Sequence, residues 1–449
     1  MKKITLLLVL AFIFQSASFS QSCLPDGIIF TTQEEIDNFQ TNYPGCTEIE
    51  GNVSISGNDI KNLNGLSVLE GVGGYLWIDN NDSLNTLNGI NNITSIGGDL
   101  HIAGLSGITN LSGLNNLSTI NGVFEISINN ALLNFSGLDS LSYISSDLMI
   151  SVNSALINFT GIGNLDSIGG SLYIYNNDAL VNFEGLDNLQ TLSSYLLVVY
   201  NQILQNFTGL ENLSTIGGYF QTYENPALNS LSGLNNLSTI GGSIFLQSLP
   251  LLTNIDTLSN LTSIGSIIHI QNNDKLTNLN GFKNVSSIDG FIYISGNNTL
   301  TNISGLENIN ANSIESLSII YNDLLSTCEI QSICDYLASP NANINIYDNA
   351  TGCNSQEEVE EACEFLDIQN INNKPKFSIF PNPAQNKIFI SAKDGNKIIE
   401  VNIYNQLGQK VISEKQLTNV IDVSKLRSGM YVIELISDNL RIKEKLMIR

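Results

Sequence analysis

The chain has 449 residues and a formal net charge of −24, from 18 basic side chains against 42 acidic ones. A hydrophobic share of 42% excludes a disordered acidic tail, and the acidic balance excludes nucleic acid as a partner. Two histidines and six cysteines leave little material for a transition-metal or thiol enzyme.

The charge is divided by region. Residues 1–20 carry two lysines and no acid. Residues 21–370 carry Lys61, Lys275 and Lys283 against 35 acids, and residues 371–449 carry 13 bases against seven acids. The three blocks hold +2, −32 and +6. A long acidic module therefore precedes a short basic one.

Met1-Lys2-Lys3 leads into an apolar run over residues 4–14, followed by Ser16, Ala17, Ser18 and Ser20. That pattern predicts a secretory signal peptide over residues 1–20. The run is too short to span a bilayer, and no membrane span is expected further on. Export makes the cysteines disulfide candidates. Cys23 and Cys46 are the natural first pair. Cys328, Cys334, Cys353 and Cys363 form a second group with two bridges, their pairing left open.

Residues 21–51 read as an N-terminal cap. Thr32 before Gln33, Glu34 and Glu35 predicts a capped short helix. From there a 24-residue repeat takes over. Its marks are Gly65, Gly89, Gly113, Gly137, Gly161, Gly185, Gly209 and Gly233, then Thr257, Gly281 and Gly305. Such regularity is the signature of a solenoid, each unit burying its apolar face against its neighbours. In the unit starting at Gly161, Leu172 and Ile174 point inward and Tyr173 and Tyr175 outward, after a turn at Gly169-Gly170. Short strands are expected on every side of the coil. The fold class is all-β: a right-handed parallel β-helix or leucine-rich-like solenoid over residues 52–327, then a small β-sandwich.

Asparagine repeats as regularly as leucine. One column runs through Asn81, Asn129, Asn153, Asn177, Asn201, Asn225, Asn273 and Asn297. An amide both donates and accepts, so stacked asparagines fit a structural ladder better than glycosylation sites. A disulfide-rich C-terminal cap is expected over 328–367, with a helix over 328–337, a strand over 343–347 and a second helix over 356–365. A linker follows over 368–376.

Chemistry is scarce. His101 and His269 share an outward column seven coils apart, about 34 Å at the usual strand spacing. They share no metal. Asp82, Asp178 and Asp274 recur every four coils, too far apart for a glycosidase pair. No catalytic residue, metal site or cofactor is expected, and the chain is read as a non-enzyme. Aromatics offer a better lead. Tyr75, Trp77, Tyr173, Tyr175, Tyr195, Tyr200, Tyr219, Tyr223 and Phe245 form a candidate ligand-binding stripe. Cross-strand packing is the competing explanation.

The last module, 377–449, shows short alternating strands. Its Pro381-Asn382-Pro383, Gly408 closing Asn405-Gln406-Leu407-Gly408, Gly429-Met430-Tyr431, and terminal Lys443-Glu444-Lys445 resemble the type A sorting domain of the type IX secretion system. The resemblance implies an address read by an outer-membrane translocon. It implies cleavage near residues 367–377, and cargo released or joined to lipopolysaccharide. Gly45 to Ser56 and the recurrent Gly-Gly-x-Leu-x-Ile are similar to the receptor L domain, a right-handed β-helix used for ligand recognition. That likeness lacks the cysteine-rich modules and kinase, so signalling does not carry over. Together these imply a secreted or surface-displayed, adhesin-like binding protein for an extracellular protein or a neutral glycan. A structural surface protein and a β-helix polysaccharide-degrading enzyme are the alternatives.

Overall fold

Each coil packs two short strands into 24 residues: Ser167–Ile168, then Leu172–Tyr175 in the unit that starts at Gly161. Stacked coils turn these into two parallel sheets, of 11 and 14 strands. The register advances by one repeat per strand, with Ile150 beside Ile174 and Ile174 beside Val198. The computed structural model describes residues 21–449 except 341, 374–376, 393–397, 406–407, 416–419 and 438–439. The expected signal peptide lies outside the described residues. The sequence pattern implies strands on every side, but the third side carries turns. There Leu186 N–H donates to the Phe183 carbonyl and Leu189 N–H to the Leu186 carbonyl, a chain of tight turns that no strand ladder can share.

The glycine column sits on that third side. Gly209 has φ 105°, and a Cβ there would meet the carbonyl group of Phe183 one coil back. Close stacking and positive φ together demand glycine. Where Thr257 takes the slot, the turn tightens into a 3₁₀ helix, Asp256–Asn260. The next two coils follow suit, at Asn280–Phe282 and Ser304–Leu306.

Seven apolar side chains fill one coil: Ile162, Leu165, Ile168, Leu172, Ile174, Leu180 and Phe183, all fully buried. Phe135, Phe159, Phe183 and Phe207 stack through four coils at centroid distances of 5.5, 5.4 and 5.2 Å. Each such pair adds about 0.5–1.5 kcal/mol beyond its buried area.

The long strands end on a residue in the left-handed region, including β-branched Ile128 (φ 59°) and Val152 (φ 56°). That conformation is costly for such residues, by about 1–2 kcal/mol each. The next residue explains it, because its asparagine side chain turns into the core. Asn177 Oδ1 accepts from the Asn153 backbone N–H at 3.1 Å, while its Nδ2 donates to the carbonyls of Ile150 and Tyr175. The same geometry recurs at Asn129, Asn153, Asn201, Asn273 and Asn297. Leu105 and Leu249 interrupt the ladder.

Both ends are closed. Thr32 caps the helix Gln33–Asp37 in a capping box with Glu35, and backbone hydrogen bonds from Thr31, foremost among its contacts, hold the Glu35 carboxyl below its ordinary range. Cys23 is bonded to Cys46, and Cys328 to Cys353; Cys334 and Cys363 are disulfide-bonded as well. The helix Gln331–Leu337 and the strand Ile344–Tyr347 complete the C-terminal cap.

A second compact unit begins at Glu357. The last helix, Gln356–Asn373, runs beyond the expected 356–365 and through most of the expected linker. No glycine or proline interrupts it before Pro375. The strands Phe377–Phe380, Lys387–Ala392 and Val420–Asp422 form one antiparallel sheet. Lys410–Lys415, Ile398–Tyr404, Gly429–Ser437 and Leu440–Ile448 form another. Their shared core includes Ile388, Ile390, Val401, Ile403, Ile433, Leu435 and Leu446. The strand Lys410–Lys415 is almost wholly exposed, which is why its alternation does not announce it. Among the described residues no helix is long and apolar enough to cross a membrane.

Candidate functional site

Period-2 alternation on the 14-stranded sheet sends every second side chain outward. The 24-residue register then stacks these side chains into columns. One column reads Trp77, His101, Glu125, Met149, Tyr173, Leu197, Gln221, Phe245, His269 and Tyr293. A second, two residues on, reads Ser151, Tyr175, Val199, Tyr223, Gln247 and Gln271. Tyr195 and Tyr219 stand just before their strands, beside the first column.

Two lines of aromatic contact result. Tyr195 stacks on Tyr219 at 4.0 Å, Tyr219 meets Phe245 edge-on at 6.1 Å, Phe245 lies 5.7 Å from His269, and His269 lies 4.6 Å from Tyr293. Beside it, Tyr175, Tyr200 and Tyr223 form a T-shaped run at 5.6 and 5.3 Å. Tyr175 and Tyr200 are exposed, while Tyr173, Tyr195, Tyr219, Tyr223 and Phe245 are half-buried. Tyr75 and Trp77 stack at 4.2 Å on the same face, but four coils from Tyr173, with Glu125 and Met149 between. They form a separate patch.

The principal stripe is nearly free of charge. Burial, then the nearby Tyr173 and Tyr195 phenols, raises the Tyr219 ionisation above its ordinary value; burial, then Tyr200 and Tyr175, does the same for Tyr223. Burial pushes the His269 imidazole down, against a hydrogen bond with Gln271 that works the other way. His269 Nε2 lies 3.0 Å from both the Gln247 and Gln271 amides. The face therefore offers neutral phenols, amides and an imidazole among ring surfaces.

Two acids standing just before long strands of this sheet hold backbone. Asp99 accepts the Val123 N–H at 2.7 Å and Asp147 the Ser171 N–H at 2.6 Å, the slot where Asn52 accepts from Tyr75. Asp139, Glu184 and Asp187 line a hollow of about 460 Å³ on the glycine turn, on another side of the coil. His101 pairs with Glu125 at 3.1 Å. Among the described residues no group of three or more His, Cys, Asp or Glu is arranged to hold a metal.

His269 and Tyr293 are the part of the stripe that the sequence pattern leaves out. Their spacing of 24 from Phe245 and from each other is the signal that places them there.

The sorting-signal residues fall on the second unit. Asn382, between Pro381 and Pro383, donates to the Lys445 carbonyl at 2.7 Å and accepts the Met447 N–H at 2.8 Å, tying the Pro-Asn-Pro turn to the last strand. Gly408 takes φ 72° and Gly429 φ 154°. Tyr431 O–H donates to the Arg427 carbonyl. Lys443 and Arg441 flank buried Glu434 at 4.0 and 3.7 Å, beside a groove of about 920 Å³ that Tyr404, Gly408 and Tyr431 also line.

Residues 378–449 match the family model described as Secretion system C-terminal sorting domain. The terminal module is thus a type IX sorting domain, and the chain is a secreted or cell-surface protein that meets the type IX translocon through it. A comparison with curated proteins finds no match.

Proposed function

We propose that the solenoid is a non-enzymatic, adhesin-like binding module of the receptor-L-domain kind, and that its ligand lies on the outer face of the long sheet. The carrying observation is the unbroken line of ring contacts from Tyr195 to Tyr293. Outward aromatic patches of this extent are what interfaces use for binding energy. The sorting domain supplies the export that such a role requires.

The test uses residues 21–449 on arrays of glycans and extracellular proteins. Binding by the wild type should fall by about tenfold or more in the double variant Tyr219→Ala/Phe245→Ala. Circular dichroism should show the coil unchanged. A variant that binds as well as the wild type would remove the face from consideration. Silence on both arrays would leave the purely structural alternative.

A further inference from the structure

From the chemistry of this face we infer that its ligand is an uncharged polysaccharide strand lying along the coil axis. The inference rests on the binding role proposed above and narrows it to one ligand class. Three observations carry it.

The first is charge. Residues 21–370 hold 35 acids against three lysines. Yet from Tyr173 to Tyr293 the outward columns hold no acid or base, and Glu224 stands at the turn beyond Tyr223. An acidic body repels anionic polymers, and a strip without carboxylates gives a basic partner nothing to pair with. A neutral ligand suits both facts.

The second is chemistry. Amides at Gln221, Gln247 and Gln271 stand among the rings in the same columns. Ring faces cover the C–H faces of sugars, and amides and phenols both donate to and accept from hydroxyls. The His269 imidazole, kept neutral by burial, extends that set without adding charge.

The third is repeat length. Successive coils place equivalent side chains about 4.8 Å apart, a spacing on the scale of one pyranose ring in an extended chain. A sugar chain parallel to the axis therefore meets a comparable set of groups at each coil. The line from Tyr195 to Tyr293 covers five consecutive coils, which sets the length of chain the strip accommodates.

Affinity electrophoresis of the 21–449 protein in gels containing mixed-linkage β-glucan, galactomannan or starch tests this, with alginate and polygalacturonate as anionic probes. At least one neutral polymer should retard the protein. Oligosaccharides of that polymer should gain affinity up to about five units, one per coil of the strip. Tyr219→Ala should cut retardation by about tenfold, and Tyr293→Ala should remove the gain from the longest oligomers. Tyr143→Ala, on the smaller sheet, should change neither. Retardation by the anionic polymers alone overturns the inference, as does affinity that ignores oligomer length. If Tyr219→Ala abolishes binding to an extracellular protein while neutral polymers give nothing, the polysaccharide is wrong and the binding face stands. If nothing binds in a Tyr219-dependent way, both fall.

Discussion

The two units solve the burial of polar groups differently. The solenoid repeats one solution: an amide per coil, inserted into the core and bonded to the coils on either side, as Asn177 is. Among its described residues the sorting domain buries a single charged group. Glu434, 4% exposed, accepts from Asn402 and Tyr404 at 3.2 and 2.8 Å, with Arg441 and Lys443 nearby. A neutral ladder can be extended by translation without accumulating charge. A lone carboxylate needs a closed, irregular setting whose partners come from different strands. Repetition thus leaves the outer face free to vary, whereas closure concentrates the polar chemistry at one place.

The largest expected difference lies in the glycines. Gly209→Ala combines a φ of 105° with a clash against the Phe183 carbonyl, and should cost about 2–5 kcal/mol. Gly408→Ala also has positive φ, 72°, but nothing within 4 Å of its added carbon, and should cost only about 1–2 kcal/mol. The single tryptophan, Trp77, belongs to the solenoid, so its fluorescence follows that unit. In urea, Gly209→Ala should lower the fluorescence midpoint and Gly408→Ala should leave it in place. Equal effects would mean that the units do not unfold separately.

Much of this contrast is legible in the residues. The 24-residue glycine column fixes pitch and register, and Asn177 and its equivalents announce the ladder through spacing alone. The alternation at Leu172 and Tyr173 settles which side faces out. Other features need the third dimension. Nothing in the repeat marks the turn at Thr257 as a 3₁₀ helix, since the coils of Gly65, Gly281 and Gly305 form one as well. Phe135 to Phe207 share a column whose other members are leucine and isoleucine, so the stack hides within a generic apolar position. His269 stands out in the residues only as the distant column-mate of His101, and its place in the aromatic line becomes evident only when columns are compared across coils.

A middle-sized effect is expected in the sorting domain. Glu434→Ala leaves buried Asn402 and the Tyr404 hydroxyl without their acceptor, at a cost of about 1–3 kcal/mol. Hydrogen exchange in Ile398–Tyr404 and Gly429–Ser437 should speed up while the Trp77 transition stays put. Burial alone would raise this carboxyl, but the hydrogen bonds from Tyr404 and Asn402 and the charges of Arg441 and Lys443 prevail and hold it below its ordinary range. Its contribution is therefore present above the ordinary carboxylate range and is lost as pH falls through the depressed value. Glu434→Gln should flatten that acid-side slope. A slope that survives the substitution would assign it to another carboxyl, with Asp422, lowered chiefly by its Ser424 hydrogen bonds, the next to replace.

The smallest effect belongs to the solenoid and to a different pH window. Burial depresses the His269 imidazole, so the folded state favours its neutral form. The unfolded chain then binds the proton more readily, and stability falls as pH drops below the ordinary histidine value of about 6.5. The loss continues until pH passes the lower folded value. Both histidines, His101 and His269, lie in the solenoid and none in the sorting domain, so histidine titration acts on the Trp77 transition alone. Urea midpoints taken from neutral pH down to about 5.5 should decline modestly in the wild type and less in His269→Gln. The glutamine keeps an amide within reach of Gln247 and Gln271 and takes up no proton. An unchanged slope in that variant would show that the half-buried ring is solvated well enough to titrate equally in both states. The neutral character of the aromatic face near His269 would then have to come from the phenols and amides alone.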